Sequence, residues 1–375
     1  MPDAQLEPSS SGHRCDFTRA IGLILRSVGK AHHPGRLALA FLTVVLLALF
    51  QSGPLHAPRR AGKSVVPPLP NPLELGIAEA SVLSLERTAD PLVEPARSFA
   101  AIFGGDAAGT PLFWRVIQFL GQAAVLTLVG GALARLAAVS LVRFERPSVV
   151  ESLSFVGSHA PALLGAPLSP FIGLASFALL GAAVGLCFKL SAPVGPILGG
   201  LLAFIPLLLA LPMALLTIGQ ALGWPLMVAT VAIEGEDAFD SLSRSYSYVF
   251  QRFFKLLILI LLAWAIAALM FMIVALIVPF ILAIAHRILA LVAPSDTLTA
   301  FTTRPSAGAT PGAAILDFWI QAVRVIASSW VYSAFWSAVV AIYLVLRRCV
   351  DGTSVEDATF DAPTAGQPWP ASGSP

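Results

Sequence analysis

KLLILILLAWAIAALMFMIVALIVPFILAIA, residues 255–285, decides the fold. After Lys255 it carries no charged, hydroxyl or amide side chain until His286 and Arg287 follow it. A helix on the surface of a soluble protein keeps a polar face, and this stretch has none. It also exceeds the roughly 20 apolar residues that carry a helix across hydrocarbon. The run therefore predicts a membrane-spanning helix, tilted to accommodate its length.

Working outward, comparable runs lie at 36–53, 116–142, 165–188, 195–219 and 315–346. The expected fold is an all-α, polytopic transmembrane bundle of about six spans. The run at 36–53 is the shortest, and it also fits the apolar region of a signal peptide, with Leu55 and Ala57 loosely placed for cleavage. The long lead before it argues for a retained span. Trp114, Trp224 and Trp319 sit near expected span ends, where amphipathic rings favour the headgroup region. The 375-residue chain is 57% hydrophobic and only 12% charged, against about 25% charged in soluble domains. Its net charge of +2 lacks the basic excess of a nucleic-acid binder. Cys15, Cys187 and Cys349 form no CxxC, and their odd count suggests three unpaired thiols.

Basic residues near span ends set the orientation. Arg14, Arg19, Arg26, Lys30, Arg36, Arg143, Arg146, Arg244, Arg252, Lys255, Arg347 and Arg348 all fall on one side of a six-span topology. Both termini are therefore expected in the cytoplasm. Residues 1–35 form a cytoplasmic tail whose segment 16–31 reads as an amphipathic helix, with Phe17, Ile21, Ile24, Leu25 and Val28 on one face. Residues 54–111 form an extracytoplasmic loop, Pro-rich at first and then acidic and partly helical. Residues 112–350 hold the five remaining spans. The loop at 294–312 reads as flexible, and 351–375 as a disordered cytoplasmic tail.

Two segments look alike. Glu145-Arg146-Pro147-Ser148-Val149-Val150-Glu151-Ser152-Leu153-Ser154 is matched by Glu234-Gly235-Glu236-Asp237-Ala238-Phe239-Asp240-Ser241-Leu242-Ser243. Each opens with an acid, carries a second six residues on, and ends in Ser-Leu-Ser. Acids and small polar residues suit a helix N-terminus, whose free N–H groups and dipole favour negative charge. Both segments are expected to start interfacial elbow helices, near 145–160 and 234–254, each feeding the next span. A duplicated span–elbow–span unit in parallel orientation follows, of a kind found in transporters; convergence on a common helix-start pattern is the competing explanation.

The stretch Gly223-Trp224-Pro225-Leu226-Met227, then Glu234-Gly235 and Asp240 to Val249, resembles an uncharacterised bacterial family of multi-pass membrane proteins. Gly130-Gly131-Ala132, Ala134-Arg135-Leu136-Ala137-Ala138 and the elbow from Glu145 to Leu153 carry the same likeness. The resemblance implies a bacterial cytoplasmic (inner) membrane protein and brings no assigned activity. More distantly, Phe239 and Leu242 with Ser241 and Ser245 resemble the membrane domain that accompanies some glycerophosphodiester phosphodiesterases. The sequence has no phosphodiesterase catalytic domain, so this likeness implies architecture alone.

Catalytic signatures are missing: there is no HExxH, P-loop or GxSxG, and no histidine pairs with an acid at metal-ligand spacing. No catalytic, cofactor or metal residue is assigned, and a non-enzymatic protein is expected. Acids lie outside the expected span centres, which counts against a proton-coupled pump. Arg135 lies inside a span, where it either snorkels to the interface or meets an anionic headgroup. Together with Glu145, Glu151, Glu234, Asp240 and Arg244 it makes the set of candidate polar or lipid-headgroup contacts. The competing reading of the last three is a capped helix start with an Asp240–Arg244 pair at i,i+4. Small-residue stripes, such as Gly181 with Gly185 and Gly130 with Ala134 and Ala138, read as close helix packing in lipid. Pro206, Pro212 and Pro279 predict kinks. The function this supports is a scaffold, assembly or lipid-interacting component, partnered by membrane lipids and other membrane proteins and not by nucleic acid. The alternative is a transporter or permease for a small or amphipathic molecule.

Overall fold

The computed structural model describes residues 17–51, 77–103, 111–143, 148–301 and 310–352. Among them every regular element is helical. α1 (Phe17–Gly29) and α2 (Pro34–Gln51) lead into α3 (Ile77–Phe103), α4 (Leu112–Val142), α5 (Val149–Cys187), α6 (Val194–Leu202), α7 (Phe204–Glu234), α8 (Ala238–Gln251) and α9 (Phe253–Leu289). A short α10 (Ser295–Leu298), a 3-10 turn (Thr299–Phe301) and α11 (Pro311–Val350) complete the chain. Five helices, with α6 and α7 counted as one, are long and apolar enough to cross a membrane. α1 and α2 qualify as a sixth only as a pair bent by 76°.

Small residues let the central helices touch. Gly130 of α4 lies against the indole of Trp336 in α11, and a Cβ there would stand 2.8 Å from Nε1, the third-nearest atom. Gly131 faces Leu163 of α5, and a Cβ added there would stand 2.9 Å from its side chain. Trp336 is fully buried and meets Trp224 of α7 edge-on at 5.7 Å. Between α4, α5, α7 and α11 the interior is thus filled with side chains. Gly130 packs within the chain, as its stripe suggested, whereas a Cβ on Gly185 would meet nothing within 4 Å.

Several boundaries differ from those read in the sequence. The span expected at 195–219 breaks at Ala203 and then runs on to Glu234. Its last turns, including Met227, Val228, Ala229, Val231 and Ala232, are wholly buried. Tertiary burial sustains the helix beyond 219, where the expected span ended. The elbow expected at 145–160 does not turn off as a separate helix: α5 continues unbroken to Cys187, with Pro161, Pro167 and Pro170 inside it. The second elbow is separate, because Arg252 at φ −130° and ψ 37° breaks α8 from α9. Both begin at the fourth residue of their similar segments, Ser148 accepting from Glu151 N–H and Asp237 from Phe239 and Asp240 N–H.

The amphipathic α1 turns its apolar face, Ala20, Ile24 and Val28, onto the bundle rather than leaving it outward. Ser27 donates to Ser337 O, and Ser333 donates to Ala31 O at 2.6 Å. α3, from the segment read as a loop, packs along α9 and α4; Trp264 Nε1 of α9 donates to Leu85 O at 3.1 Å. In the loop at 294–312, Ala300 and Phe301 are buried against Val278, Leu282 and Ile320. Cys187 is free, but Cys349 is disulfide-bonded, which corrects the expectation of three unpaired thiols. The tail beyond 352 lies outside the described residues.

Candidate functional site

Three of the charged candidates, Arg135, Glu234 and Arg244, meet around the end of α7, beside the start of α8 and the end of α11. Glu234 closes α7, and Gly235 follows at φ 70°, its N–H returning to Val231 O at 2.9 Å. Glycine takes that left-handed conformation without a Cβ penalty, so Glu234-Gly235 ends one helix rather than starting the next. A carboxylate at a helix C-terminus opposes the dipole, and here three donors from elsewhere hold it. Arg347 Nε donates to Glu234 Oε1 at 3.1 Å, the Tyr343 hydroxyl donates to the same oxygen, and Arg244 Nη1 pairs with Oε2. The side chain of Glu234 is only 8% exposed.

Arg244 reaches Glu236 Oε1 at 2.5 Å with its second nitrogen. Asp240 is not its partner, contrary to the i,i+4 expectation. Asp240 sits exposed in the first turn of α8, with its N–H on the Asp237 cap at 2.9 Å. The two glutamates attract Arg244 from a buried helix end where water competes less. Glu236 Oε2 is buried without a partner. Burial, opposed by Arg244 and reinforced by Glu234, pushes the Glu236 carboxyl up to about 7. Burial works against the Arg244 charge, but Glu234, Tyr343 and Glu236 outweigh it and hold its pKa above the arginine value. On the buried side of α8 the Tyr248 hydroxyl donates to Asp351.

Arg135 turns its guanidinium toward the end of α7. Its Nη1 donates to Ala232 O at 3.0 Å and Ile233 O at 3.4 Å, two carbonyls in the last turn of α7. Its guanidinium lies 4.3 Å from the centre of the Phe155 ring. A cation at a helix C-terminus satisfies carbonyls the helix cannot and complements the dipole. Glu151 is exposed in the first turn of α5, and Glu145 lies outside the described residues. The structure thus gathers Arg135, Glu234 and Arg244, while Asp240 and Glu151 serve only at helix starts.

Two further clusters were not visible in the sequence. Arg36 is fully buried and faces neutral oxygens: Ser337 Oγ at 3.1 Å, Leu136 O at 3.2 Å, Lys30 O at 3.4 Å, and Ser140 Oγ. It ties α2 to α4 and α11. On α3, Asp90 accepts from Arg87 and Arg97, each at 3.2 Å, beside buried Tyr332 near the middle of α11. The acids of this segment therefore come to lie beside the middle of α11, on the partly exposed flank formed by α3. The charge-poor spans gave no sign of it, because α3 itself reads as polar.

Comparison with protein-family models, curated proteins and solved structures gives no match. The class defined is an all-helical protein with several helices of membrane-crossing length and apolarity.

Proposed function

We propose that this is a non-enzymatic component of the bacterial inner membrane that works by assembling with lipids and other membrane proteins. The observation that carries the reading is the arm formed by the second half of α5, α6 and the first half of α7. Leu179, Leu186, Ile197, Leu201, Leu207 and Leu211 are all well over half exposed along it. None of the most apolar stretch of α6 and α7 is buried within the protein. A patch this large and apolar calls for lipid or another membrane segment to cover it. The filled interior around Gly130, Trp336 and Trp224 supports the same reading over a substrate pathway.

The resemblance to a bacterial multi-pass family supports the location. Basic residues gathered at the ends of α4, α8 and α11 support cytoplasmic termini. A parallel repeat is supported by the shared helix starts at Ser148 and Asp237 and by the burial of the equivalent serines, Ser152 and Ser241.

The test is cysteine accessibility in native membranes, with probes at Ala137, Ala232 and Ala341, all buried in the interior. Assembly without transport predicts no labelling by a water-soluble maleimide. Labelling at these positions would mean a water-filled path and would favour the transporter. That second reading draws on the Arg87–Asp90–Arg97 cluster, since ionisable groups inside a membrane bundle commonly mark ion or substrate routes.

A further inference from the structure

The arginines expected to meet lipid headgroups, Arg135 and Arg244, are both consumed by partners inside the protein. Besides Arg348, exposed at the end of α11, the unbalanced positive charge at this end lies at the corner between α8 and α9. Arg252 and Lys255 stand close enough for their charges to repel. Neither pairs with an acid among the described residues: Glu234 and Glu236 are held by Arg244 and Arg347, and Asp351 accepts from Tyr248. Asp240 lies twelve residues before Arg252 on α8, about 18 Å away at 1.5 Å per residue.

Two large apolar side chains flank the pair. Phe250 is 44% exposed and Phe254 is 78% exposed. They lie away from the buried face of α8, which is made by Ser241, Ser245, Tyr248 and Val249. The charge-free stretch of α9 begins directly after Lys255. Cations flanking a span belong at headgroup depth, and exposed aromatic rings beside them belong at the acyl boundary. The first amides of α9 also carry no side-chain cap.

We infer that Arg252 and Lys255, with Phe250 and Phe254, form a docking surface for an anionic phospholipid, its phosphate on the cations and its acyl chain against Phe254. This rests on the lipid-interacting reading above and names the lipid class and the residues. The cations supply the charge selectivity and the rings supply the depth. Phosphatidylglycerol should bind in preference to zwitterionic phosphatidylcholine.

The experiment uses the delipidated full chain in detergent, titrated with phosphatidylglycerol or phosphatidylcholine, with bound lipid counted by native mass spectrometry. Wild type should prefer phosphatidylglycerol. Arg252→Gln with Lys255→Gln should weaken that lipid about 30-fold, roughly fivefold per basic residue, and leave phosphatidylcholine unchanged. Lys189→Gln, in the exposed turn at the far end of α5, should change nothing. Phe254→Ser should weaken both lipids alike. Undiminished phosphatidylglycerol binding by the double variant, or equal retention of the two lipids by wild type, would overturn the proposal. Displacement of the lipid by millimolar inorganic phosphate would assign the corner to free phosphate and overturn it too. Any of these failures leaves the interior cysteine test standing, so loss of this site and loss of the broader function remain distinguishable.

Discussion

Replacing Gly130 by alanine tests whether the centre of the bundle is as tightly packed as the geometry requires. Carbon contacts are comfortable at about 3.5–4.0 Å. An added Cβ would stand only 2.8 Å from Trp336 Nε1, and nearer still to two other ring atoms. The nearest ring atom has to retreat by about 1.5 Å to restore contact distance. It has little room, because Trp336 is fully buried between Trp224 at 5.7 Å and Phe335 at 5.2 Å. Overpacking of this kind costs about 1–3 kcal/mol, and the enclosed ring places it at the upper end. Alanine regains about 1 kcal/mol over glycine in a helix. The net expectation is a loss of about 2 kcal/mol.

Gly157 of α5 provides the opposite sign. A Cβ there meets nothing within 4 Å, so Gly157→Ala should gain about 1 kcal/mol from helix propensity alone. Thermal unfolding in detergent, followed by the reactivity of an introduced buried cysteine, ranks the three proteins. Gly130→Ala should melt below wild type and Gly157→Ala above it. In a Trp336→Phe background the penalty at Gly130 should largely disappear. A Gly130→Ala protein as stable as wild type, or a penalty unchanged beside Phe at 336, would refute the contact argument.

Glu234→Gln takes away the carboxylate charge shared by Tyr343, Arg347 and Arg244 and turns one of its two acceptor oxygens into an N–H donor; leaving the mostly buried Arg347 without its counter-charge should cost about 3 kcal/mol in the same melt. Arg135→Ala uncaps α7 and vacates the Phe155 face, and should cost about 1–2 kcal/mol, seen as faster amide exchange in the last turn of α7. Glu236 gives a pH dependence whose sign is fixed. Its folded pKa, raised to about 7, lies above the ordinary carboxylate value of 4.5, so the folded protein binds this proton more tightly than the unfolded chain. Its contribution is therefore fully present below about pH 4.5 and is lost as pH rises through about 7. Melting temperature should fall between pH 5.5 and 8 by an amount that Glu236→Gln abolishes, as read by melts of both proteins across that range.

The sequence by itself determined what local chemistry encodes. Apolar runs located the five helices of membrane-crossing length and apolarity, though not all of their ends, because lipid accepts only helices whose backbone groups pair within the segment. Ser148 and Asp237 were legible as the region of two helix starts, since a cap is written in three or four adjacent residues. Tertiary structure decided the rest. α7 continues past 219 because its last turns are buried by neighbours distant in sequence. Arg244 chooses Glu234 and Glu236 over the nearer Asp240 because those acids lie at a buried helix end. Tyr343 reaches Glu234 across 109 positions, and Arg36 reaches Ser337 across 301. α3 brings its charges beside Tyr332 of α11 only because it docks along α9. Periodicity records which face of a helix is apolar, but ion pairing and depth depend on which helices meet, and only the folded chain fixes that.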